Sequence, residues 1–269
     1  MGIRKKIIKK VCNYLLSKGT FTSQRTDLSE IRKLLKTISP KKLAKDNIRI
    51  GGNNDGGYVV PNDLEGIDYC FSPGVGNLIN FENDLIKKGI KCFLADQDIN
   101  RIYDSQFIDF EKKFVGPTKD ENYITLKDWI SSKIDYEKNN ELILQLDVEG
   151  DEYNILNSLD IYTLKKFRII LIEFHQLHYI FDSFTFRNIK KVFDKLNKYF
   201  YCTHIHPNNN PEFIVREGNI IIPPVMEFSY LRKDRSNIIE QKLNFPSAMD
   251  QPNNPSREDI DLPKCWYKS

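Results

Sequence analysis

Two apolar runs in this chain end on ionisable residues. Leu142–Gly150 reads LILQLDVEG and stops on Asp147 and Glu149. Arg168–His175 reads RIILIEFH and stops on Glu173 and His175. A strand buried on both faces of a parallel sheet is a near-continuous apolar run. In open α/β sheets, ligands bind beyond the carboxyl ends of such strands. The two runs therefore predict one rim carrying Asp147, Glu149, Glu152, Glu173, His175 and His178. Carboxylates and imidazoles there can bind a divalent metal or take a proton from a hydroxyl. Glu149 has a second reading, as a cap of the helix after Gly150, and His178 as a surface residue. Farther on, THIHPNNN sets His204 and His206 on one face of a strand. That pair suits substrate hydrogen bonding, general-base work, a metal with further partners, or simple packing.

A second constellation lies upstream. Ser72-Pro73-Gly74-Val75-Gly76 follows one predicted strand and precedes a helix. Glycines there let the backbone approach a ligand, and a helix N-terminus favours anionic groups. The next strand ends in Asp96-Gln97-Asp98. An acid at that position accepts hydrogen bonds from the hydroxyls of a bound ribose. The alternative is a tight turn and a solvated acid. The third glycine of a dinucleotide fingerprint and a phosphate loop ending in GKS or GKT are both missing. Just before these elements, Arg49–Tyr58 reads RIGGNNDGGY, a flexible loop beside the site or an ordinary hairpin turn.

The elements that must position these residues follow from periodicity. Strands are predicted at 67–71, 91–95, 142–146, 168–175 and 201–206, with a short third strand at 113–115. Helices are predicted at 80–88, 125–134 with a Thr N-cap, 152–159 and 183–199. Ser39-Pro40 opens another short helix. Segments 213–215, 219–222 and 225–231 read as strands with no helices between. Alternating strands and helices imply a parallel sheet with right-handed crossovers, and the helix-free end an antiparallel hairpin. The expected fold is α/β, a doubly wound, mainly parallel, seven-stranded sheet with that C-terminal hairpin. Residues 1–45 form a helical extension, 46–235 the main domain, and 236–269 a polar tail that wraps the surface or is partly disordered.

Composition narrows the class. The chain has 269 residues, 40% hydrophobic and 29% charged, enough to bury a core. A net charge of +3 gives no ground for a nucleic-acid partner. The five cysteines are scattered without zinc spacing, which reads as a reducing, cytoplasmic compartment. No apolar run approaches the ~18 residues of a membrane span. Residues 1–18, with Lys5, Lys6, Lys9 and Lys10 between apolar positions, form a basic amphipathic helix. It can lie on an anionic membrane surface at the inner face of the membrane, or pack on the domain or on a second copy of the chain.

Together these segments resemble the FkbM-like S-adenosylmethionine-dependent methyltransferases, from about Asn47 to Asp234. The resemblance rests on QLDVEGDEYNIL at 145–156, with IEFH at 172–175 and HIHPNN at 204–209. RIGGNNDGGYVVP at 49–61 and SPGVGNLINFENDL at 72–85 resemble a subgroup with a DGGY loop. The resemblance implies the class I methyltransferase fold, S-adenosylmethionine as cofactor, and O-methylation of a sugar or glycan hydroxyl. It implies that Asp55, Gly57, Tyr58, Ser72, Pro73, Gly74, Gly76 and Glu82 surround the cofactor. Gly74 and Gly76 would pass under its methionine part, Asp96 would hold the ribose with Gln97 and Asp98 nearby, and Phe114-Val115 would flank the adenine. Asp147 would sit at the methyl-transfer centre. His175, or a histidine of the 204/206 pair, is the base candidate, and Asp147 with Glu173 can instead hold Mg²⁺ or Mn²⁺. Two rivals stand beside this reading. One is a metal-dependent glycosyltransferase using Asp96-Gln97-Asp98; the other is a non-catalytic scaffold with a degenerate cofactor site.

Overall fold

In the computed structural model, which describes residues 3–20, 22–100 and 105–268, seven strands form one mixed sheet. They are β1 (Tyr69–Pro73), β2 (Lys91–Ala95), β3 (Ile108–Glu111), β4 (Leu142–Leu146), β5 (Phe167–Phe174), β6 (Phe200–Pro207) and β7 (Met226–Arg232). Their order across the sheet is β3-β2-β1-β4-β5-β7-β6. The pairs β1–β2, β1–β4, β2–β3 and β4–β5 are parallel. Only β7 is reversed; it is antiparallel to both β5 and β6. The sheet is thus α/β and mostly parallel, with its carboxyl-end rim where β1, β2, β4 and β5 all finish.

The central strands are buried on both faces, which is why they read as continuous apolar runs. In β4, Leu142, Leu144 and Leu146 face one apolar cluster, while Ile143 faces the other. In β5, Ile170, Ile172 and Phe174 face the first and Ile169 and Leu171 the second. Cys70 and Cys92 are buried, free register partners on β1 and β2. The first cluster is closed by helices α2 (Leu28–Ile38) and α7 (Ser183–Tyr199). Helix α7 buries Phe186, Ile189, Val192, Phe193 and Leu196, one helical stripe. Each contributes about 2 kcal/mol of apolar burial. Asp182 caps α7 by accepting from the Thr185 amide at 2.8 Å, and Thr125 caps α4 (Leu126–Lys133) by accepting from Asp128 at 3.1 Å. The second face carries α3 (Asn80–Ile86) and a hairpin, Asn47–Ile50 with Tyr58–Pro61.

Three expectations are corrected. Ser39-Pro40 opens no helix: Ser39 is the C-cap of α2, and the chain then runs extended to a bridge between Leu43 and Ile238. The third strand of the sheet is β3, half-buried throughout, rather than 113–115. Phe114–Gly116 instead pairs with Tyr123–Thr125 in a separate small sheet. The helix-free end is no simple hairpin, because Val215–Glu217 and Ile220–Ile222 form their own pair between β6 and β7. The segment after residue 235 runs over the surface, mostly exposed or half-buried, with Leu262 and Trp266 anchored in the first cluster and Asn253 buried.

The amino-terminal helix α1 spans Ile3–Ser17 and exposes Ile7, Ile8, Val11, Tyr14 and Leu16. Of the segment expected to meet a membrane surface, Met1 and Gly2 lie outside the described residues. Among the described residues, no helix is long and apolar enough to cross a membrane.

At the end of the sheet opposite the rim, Arg168 is buried at the start of β5. It donates to Glu141 at 2.9 Å and to the carbonyls of Asp63, Glu65 and Gly66. Buried Asp63 in turn accepts from Lys45 and Arg235. Removing one member of such a network strands charge out of water. Arg168→Met should therefore lower the unfolding free energy by about 3–5 kcal/mol in urea titrations. A loss below about 1 kcal/mol would mean the network contributes no more than a surface pair.

Candidate functional site

Four strand ends meet at the rim. The chain leaves β1 through Pro73 and Gly74, and Gly74 adopts φ +79°. A Cβ on Gly74 would lie 1.5 Å from the carbonyl oxygen of Asp147. Only glycine lets the turn after β1 reach the end of β4 this closely. The Asp147 amide donates back to Pro73 O at 3.4 Å, and the Gly74 amide donates to Ala95 O at 2.9 Å. The turn continues to Gly76, whose amide donates to Asp96 Oδ2 at 3.4 Å. Asp96 Oδ1 also accepts from the Asp98 amide at 2.8 Å, so Asp96 braces its own loop.

Over this turn opens a cleft of about 330 Å³, within the usual range of small-ligand sites. Of the expected residues, Asp55, Tyr58, Gly74, Gly76, Glu82 and Asp147 line it. Gln145 and Glu149 line it too. The remaining expected residues are distributed around it. Gly57 sits in the neck of the loop, where a Cβ would meet Gly52 O at 2.4 Å. Ser72 is buried within its floor. Gln97 is half-buried and Asp98 exposed. Val115 is buried in the core, and Phe114 packs on Tyr123 with ring centroids 5.3 Å apart. Neither lines the cleft.

The floor is a chain of side-chain hydrogen bonds. Ser72 Oγ lies 2.5 Å from Glu82 Oε1 and 2.6 Å from Gln145 Oε1. A hydroxyl carries one hydrogen, so the chain closes when Glu82 holds a proton. Glu82 then donates to Ser72, Ser72 to Gln145 Oε1, and Gln145 Nε2 to the Tyr58 hydroxyl at 2.9 Å. Burial pushes the Glu82 carboxyl up to about 7, consistent with that proton.

Behind Asp147 the groups are acidic and tightly packed. Asp147 Oδ1 is buried without a hydrogen-bond partner. Burial, and then the neighbouring Glu173 carboxylate, lift Asp147 well above the usual range. Glu173 is also raised by burial, offset by the charge of His175 and by the amide donated from Asn208. His175 Nδ1 bonds Glu152 Oε1 at 3.0 Å, while its Nε2 is 3.3 Å from Glu149 and 3.9 Å from Asp147. Burial opposes charge on this imidazole. Glu152, Glu173 and Glu149 outweigh it and push His175 up to about 9. Glu152, not Glu149, accepts from the amides of Val148 and Gly150. The cap reading of Glu149 is thereby corrected; its side chain is 86% exposed and turned toward His175.

The acidic row continues across the sheet. Glu227 on β7 is the register partner of Glu173 on one side and of His206 on the other. Burial raises Glu227 to about 7. His206 Nε2 lies 3.1 Å from Asp259, and this bond holds the imidazole above its ordinary value against the effect of burial. His204 Nε2 is 2.8 Å from Asp250. Asn253 donates to Glu227 at 2.6 Å and to Asp55 at 3.4 Å, joining the row to the glycine loop. His206 thus reaches Asp147 only through Glu227 and Glu173. His178 stands apart, packed on Tyr179 and Phe213. Gln145, Glu227, Asn253 and Asp259 were not legible as site residues: one hides inside an apolar strand, one inside a strand of mixed character, and two in a segment whose composition reads as loop.

Residues 59–201 match the family model of the methyltransferase FkbM domain. The match holds the glycine turn, Asp96, Asp147, Glu173 and His175, whereas Glu227, Asn253 and Asp259 lie beyond it. No curated protein matches the chain.

An acid held protonated by burial destabilises the fold once it must ionise. The folded Glu82 binds its proton more tightly than the unfolded chain, whose value is near 4.5, so stability falls as pH rises from there to about 7. Glu82→Gln lacks this loss. Between about pH 5 and about pH 8, the variant should gain on the order of 2–3 kcal/mol relative to wild type in denaturant titrations. Parallel stability curves would remove the proton from the floor.

Proposed function

This chain belongs to the FkbM methyltransferase family, and from that premise we propose that it transfers the methyl group of S-adenosylmethionine to a hydroxyl of a sugar or glycan. The observation that carries the reading is the glycine turn closed against Asp147, with Asp96 at the neighbouring strand end. We read the sheet as the doubly wound class I methyltransferase sheet, whose cofactor lies across these strand ends. The residues suit the cofactor: the cleft opens over the glycine turn, Asp55 and Asp147 on its lining offer carboxylates to an ammonium, and Asp96 stands at the neighbouring strand end for a ribose.

When bound, the cofactor supplies an electrophilic methyl on sulfur. The chain's own part is to hold the donor and aim the acceptor. Asp96 receives the ribose hydroxyls, and Asp55 and Glu82 face the amino-acid end. Asp147 and Glu149, on the lining of the cleft, offer hydrogen bonds to a polyhydroxylated acceptor. The hydroxyl loses its proton as its oxygen bonds the methyl carbon. We assign that proton to Glu173, whose Oε1 is held by Asn208. His175 already carries a proton through neutral pH, and His206 is engaged by Asp259. The glycosyltransferase reading finds less support, because the family model that residues 59–201 match is that of a methyltransferase domain.

Calorimetry with S-adenosylhomocysteine and with UDP separates the readings. We expect the first to bind and the second not. Asp96→Ala should weaken S-adenosylhomocysteine at least about tenfold, a loss of ~1.4 kcal/mol. Glu173→Gln should keep that affinity and lower turnover on sugar acceptors by about 100-fold or more. Binding of UDP without the adenosyl ligand would overturn the proposal.

A further inference from the structure

Glu149 and Gln176 are the non-glycine residues, among those described, that adopt a left-handed backbone, at φ 55° and φ 56°. Each conformation costs on the order of 1 kcal/mol or more and persists only where the surroundings enforce it. Both flank the same group. Glu149 follows Asp147 after β4, and Gln176 follows His175 after β5. The left-handed turn brings the Glu149 carboxylate, itself exposed, within 3.3 Å of His175 Nε2.

We propose that Asp147, Glu149 and His175 form a binding site for a divalent transition-metal ion of the Mn²⁺ class. One carboxylate oxygen from each acid and an imidazole nitrogen all lie within 4.8 Å of one another. His175 Nε2 is 3.3 Å from Glu149 Oε2 and 3.9 Å from Asp147 Oδ1. Ligands about 2.1 Å from a shared ion are separated by about 3.0–4.2 Å, so the three atoms need only small shifts, with the ion displacing the proton of His175 Nε2, to close on one. Asp147 Oδ1 points into the group, buried and without a hydrogen-bond partner. A buried, unpaired carboxylate oxygen is costly unless something cationic meets it.

The other imidazole nitrogen is equally telling. Nδ1 of His175 bonds fully buried Glu152, which is itself fixed by the amides of Val148 and Gly150. Ligating histidines are oriented by such a carboxylate on their second nitrogen. Mixed nitrogen and carboxylate donors favour Mn²⁺ or a similar ion over Mg²⁺, which prefers oxygen alone. This set differs from Asp147 with Glu173: Glu173 is committed to Asn208, and Glu149 and His175 take its place. In the methyl-transfer reading, on which this last point rests, the ion would lie beside the acceptor hydroxyl and favour its oxyanion.

Metal binding is measurable without turnover, so its failure and that of methyl transfer are distinguishable. The full chain, stripped with EDTA, is titrated with Mn²⁺ and free ion followed by EPR. Wild type should bind one Mn²⁺ per chain, and pulsed EPR should show nitrogen coupling from one imidazole. Asp147→Asn and His175→Gln should weaken binding at least about tenfold, the scale on which metal-site substitutions act. Should either fail to fold, Glu149→Gln keeps the question open to measurement, because its exposed side chain can change with unfolding temperature in EDTA unaltered. It too should weaken Mn²⁺. No binding by wild type up to about 1 mM, absence of nitrogen coupling, or equal affinity in Glu149→Gln would each overturn the site.

Discussion

The turn after β1 presses on the carbonyl of Asp147, and the placement of every group on the rim depends on that contact. Backbone meets backbone there with no room for a Cβ. Because the turn is tied to β2 through Gly74 and Ala95, and to Asp96 through Gly76, three strand ends are fixed by one close approach. The cleft lies above this junction and inherits its rigidity. Its floor, from Glu82 to Tyr58, then needs only side-chain hydrogen bonds to be ordered.

A second constraint is charge. Asp147, Glu152, Glu173 and Glu227 crowd one side of the cleft, with His175 and His206 as the near cations. In low dielectric such carboxylates either keep protons or find partners. The structure uses both routes. Glu152 takes backbone amides and an imidazole, while Asp147 and Glu227 are displaced toward their protonated forms. Arg49 lies over the same region, held by Gly52 and Met249 carbonyls, its charge disfavoured by burial and favoured by Glu227 and Asp250. The acidity suits a ligand rich in hydroxyl donors.

What the sequence disclosed follows the same physics. Strands β4 and β5 were readable because burial on both faces leaves an unbroken apolar run that stops at the rim. The positions of Gly74, Asp96 and Asp147 at the rim were readable because each follows directly on a strand. Strand β3 was missed because IDFE is half-buried at an edge and alternates with acids. Gln145 was missed because a polar residue inside an apolar strand betrays no partner until Ser72 and Tyr58 arrive from elsewhere. The residues after 235 were hardest. Asn, Pro and charge make them look like loop, yet Asn253 is held by Glu227 and Asp55, and Asp259 by His206, pairings that composition cannot register.

Strand β7 lies between β5 and β6, although β6 precedes it in the chain. During synthesis, β6 therefore has no neighbour to pair with until residues 226–232 have emerged from the ribosome. The glycine turn and the ends of β4 and β5 can assemble earlier, from residues already made. Asn253 and Asp259 arrive later still. The glycine turn and the cleft above it are thus built before the row of Glu227, Asn253 and Asp259 beside them, and the nascent protein passes through a stage with an open sheet edge at β5.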